Sequence, residues 1–107
     1  MIVSEGLTKI EVIKGNGYTM RIDVDYSLTG ATELKAVYRD PNGGTGEIAG
    51  SQVGTENKIS VTVPAETNAI DGPWVFHASI LESGNTTATL SDPVRVISRD
   101  LYELPGV

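Results

Sequence analysis

Apolar and polar residues alternate with a period of two through almost the whole chain. Only an extended backbone sends successive side chains to opposite faces, so this period dictates strands half buried against a core. "YTMRIDVDY" puts Tyr18, Met20, Ile22, Val24 and Tyr26 on one face and Thr19, Arg21, Asp23 and Asp25 on the other. The same reading turns Ile10 and Val12 inward in "TKIEVIK", and Leu34, Ala36 and Tyr38 in "ELKAVYRD". It does so for Ile59, Val61 and Val63 in "KISVTVP", and for Trp74, Phe76, Ala78 and Ile80 in "PWVFHASIL". "TATLSDPVRVIS" turns Ala88, Leu90, Val94 and Val96 inward, but Pro93 cannot donate to a ladder, so this last strand is broken, bulged or at an edge. "PAETNAID" is the one stretch that suits a helix, of two turns at most.

Turn signals recur about every ten residues, among them "DPNGG" with Pro at its second position and Gly after Asn. Short alternating strands at that spacing predict an all-β antiparallel sandwich or barrel of about seven strands. The chain of 107 residues has the size of one domain. Its expected core includes Trp74, Phe76, Ile22, Val24, Val61 and Val63. Residues 1–98 make the domain. The tail "RDLYELPGV" loses the alternation, so 99–107 reads as a C-terminal arm.

Charge and composition remove several function classes. The net charge is −6, and an acidic surface repels phosphate backbones, so no nucleic-acid partner is expected. No apolar run approaches the ~20 residues that span a bilayer, and the N-terminus lacks the basic and apolar regions of a signal peptide. Cys is absent, so neither disulfides nor a thiolate metal site hold the fold.

The order of strand, "DPNG" hairpin, "ISVTVPAET", "DGPWVFHASI" and "ATLSDPVRV" resembles the small immunoglobulin-like domains of tailed-bacteriophage virion proteins. The residues that carry the resemblance are Gly15 with Leu28, Gly30 and Ala31, then Asp40, Pro41 and Gly43, then Gly72, Trp74 and Phe76. It spans Gly15 to Val96 and consists of folding residues. Asp71 to Trp74 sit where such domains place the turn and the aromatic that enter strand F. The Cys pair of antibody domains is missing. The resemblance implies an immunoglobulin-like antiparallel β-sandwich and a structural role on the particle. Such a protein decorates or cements the capsid, or joins the tail or baseplate, through contacts with other virion proteins. The expected site of action is the virion, after synthesis in the host cytoplasm, with homo-oligomers on the particle and no cofactor or metal.

Candidate chemistry is sparse. His77, the one histidine, would be the base of any Ser-His-Asp triad, but it stands mid-strand with no glycine elbow before a serine. Asp23 and Asp25 share a face and could form a carboxylate pair, yet Arg21 beside them makes charge balance the simpler account. "DPNGGTGE" offers Asp40, Asn42 and Glu47 as calcium-loop oxygens, but Pro and three glycines describe a hairpin equally well. "KGNGY" and "NGGTG" precede no helix and so lack the context of a phosphate loop. "NTT" from Asn85 matches a glycosylation sequon and reads first as a hairpin tip.

An interface is the better expectation. Val37, Val75, Leu81 and Ile97 are apolar with outward parity, and a contiguous patch of them would mark a binding face. The tail adds Leu101, Tyr102, Leu104 and Val107, and Val75 with His77 completes the candidate contact set. The alternative function is a carbohydrate- or host-surface-binding module. It needs exposed aromatics, whereas Tyr18, Tyr26 and Tyr38 have inward parity.

Overall fold

The computed structural model describes residues 9–24 and 27–100. Among them are eight strands and no helix. The strands are β1 (Lys9–Ile13), β2 (Tyr18–Asp23), β3 (Ala31–Arg39), β4 (Thr45–Gln52), β5 (Lys58–Val63), β6 (Gly72–Glu82), β7 (Thr89–Leu90) and β8 (Val94–Arg99). They join in the order β1-β8-β6-β3-β4-β5-β2, with β7 beside β6. The fold is thus all-β, as the alternation requires, and the sheet curls until it is nearly barrel-shaped. Its two edge strands, β1 and β2, are consecutive in the chain.

Four features differ from the sequence reading. The sheet is mixed rather than antiparallel, because β1 runs parallel to β8. An eighth strand, β4, lies where alternation gave no signal. It pairs β3 through Lys35↔Ala49 to Arg39↔Thr45, then β5 through Gly50↔Val61 to Gln52↔Ile59, and so carries the sheet around its bend. "PAETNAID" makes one turn, with Thr67 N and Asn68 N both donating to Pro64 O, and goes no further. Leu90 is 56% exposed instead of inward: the two-residue β7 pairs it with Ser79, on the outward face of β6, and pairs Thr89 with the inward Ile80.

The inward faces otherwise meet as the parity demands. Met20, Ile22, Ala36, Ile59, Val61, Val63, Trp74, Phe76, Ala78, Ile80 and Val96 are buried together, and Val24 is only half-buried against that cluster. Trp74 lies among rings, with centroids 5.5 Å from Tyr38 and 6.1 Å from Phe76, and its Nε1 donates to Ile70 O at 2.9 Å. Burying it contributes about 3 kcal/mol.

Three segments of the chain are tied together by a buried side chain that no pattern announces. Asn68 Nδ2 donates to Ile13 O and Asn16 O, both at 2.9 Å, and its Oδ1 accepts from Ser98 Oγ at 2.7 Å. Its backbone O accepts from Gly15 N. The β1–β2 turn, the β5–β6 connection and the end of β8 are tied at this point. Ser98 and Asn68 are each 1% exposed and fully satisfied, which removes the penalty of burying them. β8 continues through Arg99, whose Nη2 donates to Glu11 Oε1 at 3.2 Å, so the first arm residue belongs to the sheet. Leu101, Tyr102, Leu104 and Val107 lie outside the described residues.

Candidate functional site

An open groove of about 730 Å³ lies against β3, β4 and β6, lined mostly by outward residues and also by Tyr38 and Gly46. Register builds it. Val37 on β3 is the Cα partner of His77 on β6 and of Glu47 on β4. In the next row Arg39, Val75 and Arg95 are partners across β3, β6 and β8. Directly paired residues share a face, so these side chains form a compact field. Val37, Val75 and His77 are half-buried and line the groove with Arg39, Thr45 and Glu47. The outward apolars of the sequence reading thus divide. Val37 and Val75 converge, Ile97 lies one row beyond Val75 opposite Pro73, and Leu81 stands at the far end of β6 opposite Glu33.

His77 is held for structure. Its Nδ1 lies 2.9 Å from Ser91 O. A carbonyl only accepts, so Nδ1 carries the proton and Nε2 remains as the ring's acceptor. The nearby Ser91 hydroxyl accepts from Ala78 N at 2.8 Å and donates to Asp92 O at 2.9 Å. Its proton is committed to the backbone, and the imidazole meets this residue's carbonyl rather than its oxygen nucleophile. These contacts clamp the break between β7 and β8 onto β6. Ser79, outward by parity, is nonetheless 4% exposed, flanked by Lys35 of β3 and Leu90 of β7.

Charge on the β3–β4 side is locally balanced. Lys35 Nζ lies 2.9 Å from Glu47 Oε2 and 3.2 Å from Glu33 Oε1. Hydrogen bonds to Glu47 and then to Glu33 raise its pKa above 10.5. Glu47 is therefore spoken for, and so is the other end of the calcium-loop candidate. Asp40 Oδ1 accepts from Asn42 N at 2.8 Å and Gly44 N at 2.9 Å, which caps a hairpin turn completed by Gly43 at φ +87°. Asp23 stands 3.9 Å from Lys58 Nζ, and both its oxygens lack a hydrogen-bond partner among the described residues. Asp25, its proposed mate, lies outside them. No group of three or more His, Cys, Asp or Glu that could hold a metal occurs among the described residues.

The arrangement can bind: it offers a shallow apolar floor with an acceptor nitrogen and flanking charges of both signs. Sequence reasoning named Val37, Val75 and His77 for contact and Glu47 only as a calcium-loop oxygen, and it missed Arg39 and Arg95 as site residues. The only signal for the two arginines was their outward parity, and their juxtaposition is a fact of register. No protein-family model and no curated protein matches the chain.

Proposed function

We propose that the chain is an immunoglobulin-like β-sandwich module that acts without catalysis, through protein–protein contact, as a structural virion protein of a tailed phage. It decorates or cements the capsid, or joins the tail or baseplate. The observation that carries the contact role is the groove against β3, β4 and β6, where Val37 and Val75 form an apolar floor beside His77 on a sheet surface. The pairings of β2 with β5, and of β3 with β6 with β8, match the B–E and C–F–G ladders of an immunoglobulin-like sandwich, which supports that fold. The phage assignment rests on the resemblance over Gly15 to Val96.

The test is co-sedimentation of the labelled full chain with purified tailed-phage capsids and tails. The chain is expected to pellet with one of them, and Val37→Thr/Val75→Thr is expected to weaken that binding about tenfold while the fold persists, since Thr keeps the β-branched shape. No binding to any particle, together with saturable binding to a glycan array, would replace this reading with a carbohydrate-binding module.

A further inference from the structure

We propose that the partner of this groove is an acidic segment of another protein, with carboxylates that pair with Arg39 and Arg95 on either side of Val75. The inference rests on the reading of this face as a protein-contact surface and names its partner's chemistry. The chain carries 14 acidic residues against 8 Lys and Arg, and four of those cations lie in ion pairs among the described residues. Lys14 meets Asp71 and Asp100, Lys35 meets Glu33 and Glu47, Lys58 meets Asp23 and Glu56, and Arg99 meets Glu11. Arg39 and Arg95 are exposed and form no ion pair among the described residues. Arg21, also without one there, lies away from the groove on β2.

The two arginines are not scattered. Arg39 pairs Val75, and Val75 pairs Arg95, so two guanidinium-bearing residues flank one valine across three adjacent strands. Two strand spacings separate their Cα atoms by about 10 Å. Each guanidinium fork matches a carboxylate in two-point geometry. An extended segment of the form Glu-x-Val-x-Glu places all three side chains on one face, with its glutamates about 13 Å apart, within the reach of the long side chains. Its central apolar residue would lie on Val75.

A protein segment fits better than a uniform polyanion. Val75 separates Arg39 from Arg95 in the row, and Lys9 on β1 is the next Cα partner beyond Arg95, so the cationic positions are interrupted by an apolar residue and do not form a continuous basic track. Glu47 lines the same groove, and the whole chain is at −6, so a ligand charged along its length is repelled.

The experiment is an NMR titration of the isotope-labelled full chain with a short peptide carrying Glu-Ser-Val-Ser-Glu, beside its twin with both Glu replaced by Gln. The expected result is that the Glu peptide shifts the amides of Val37, Arg39, Val75, His77 and Arg95. The Gln twin should bind about fivefold more weakly, as two exposed ion pairs allow. Arg39→Gln/Arg95→Gln should remove the preference for the Glu peptide. Equal binding of both peptides, shifts elsewhere on the molecule, tighter binding of a sulfated oligosaccharide at the same amides, or a dimer of this chain that occupies the face would each overturn the proposal. Particle co-sedimentation separates the two readings. If Val37→Thr/Val75→Thr lowers binding and Arg39→Gln/Arg95→Gln does not, the acidic partner is wrong and the contact face stands. If neither pair of substitutions matters, both are wrong.

Discussion

Strands β5 and β4 lie side by side in one ladder, yet only one of them is written plainly in the sequence. β5 is "KISVTV": Ile59, Val61 and Val63 face inward and are 0% exposed. β4 is "TGEIAGSQ", and its inward positions are Gly46, Ile48, Gly50 and Gln52. The difference is not one of burial depth alone. A Cβ on Gly46 would stand 2.6 Å from Tyr38 Cζ, and one on Gly50 2.8 Å from Ile59 Cγ2. The volume under β4 is filled by side chains that arrive from β3 and β5. An apolar pattern therefore reports which strand supplies the filling, and a strand that is only covered leaves no pattern behind.

The largest expected effect comes from emptying what β5 supplies. Ile59→Ala removes three carbons at a fully buried site and leaves a cavity beneath both strands. A loss of about 3–4 kcal/mol is expected in urea or thermal unfolding. A loss below about 1 kcal/mol would mean that β4 collapses into the space, and the two strands would then be sharing the core in a way the packing does not suggest.

Filling β4 is the converse experiment. Gly50 has no positive φ, so Ala there strains no backbone and gains slightly from a stiffer unfolded chain. The collision with Ile59 Cγ2, and with Ser60 O and Val61 Cγ2 at 3.3 Å, outweighs that gain. Gly50→Ala is expected to cost about 1–2 kcal/mol. In the Ile59→Ala background the methyl it strikes is gone, so the same substitution should cost at least about 0.5 kcal/mol less. Strict additivity in this double-mutant cycle would refute the account of β4 as a strand kept small by its neighbours.

The same contrast explains what could be read elsewhere. Every strand that supplies its own filling was legible: β1 through Ile10 and Val12, β2 through Met20 and Ile22, β6 through Trp74, Phe76, Ala78 and Ile80. Leu90 misled because counting along its own segment gave inward parity, whereas the register sets it opposite the outward Ser79 and turns Thr89 toward Ile80. Asn68 looked like part of a polar helical scrap. Its role needs the carbonyls of Ile13 and Asn16 and the hydroxyl of Ser98, from segments far away in the chain, and no local rule brings those together. The candidate site divides along the same line. Val75 and His77 follow from counting along one strand, whereas Arg39 and Arg95 become neighbours only through the register of three strands.

Alkaline pH offers the mildest probe of the two strands, because each is tied to one titrating neighbour. Tyr18 on β2 is the Cα partner of Val63 on β5, and burial pushes its phenol well above the ordinary 10.0. Lys35 on β3 reaches across to Glu47 on β4, and its amine is also raised, by the hydrogen bonds to Glu47 and Glu33. Both groups hold their proton longer in the folded chain than in the unfolded one. The unfolded state thus binds fewer protons above pH 10, and stability falls as pH rises from there. Below pH 9 neither group contributes any slope. By pH 11 the buried phenol alone should remove about 1 kcal/mol, the difference between an unfolded tyrosine already ionised and a folded one still neutral. Tyr18→Phe should flatten the decline between pH 9.5 and 11 in urea melts, values set around the ordinary tyrosine pKa. Lys35→Gln should leave most of it in place, because that pair is solvent-exposed and screened. If Lys35→Gln flattened the profile instead, the outward ion pairs of β4, and not the buried side chains beside β5, would be what couples this end of the sheet to pH.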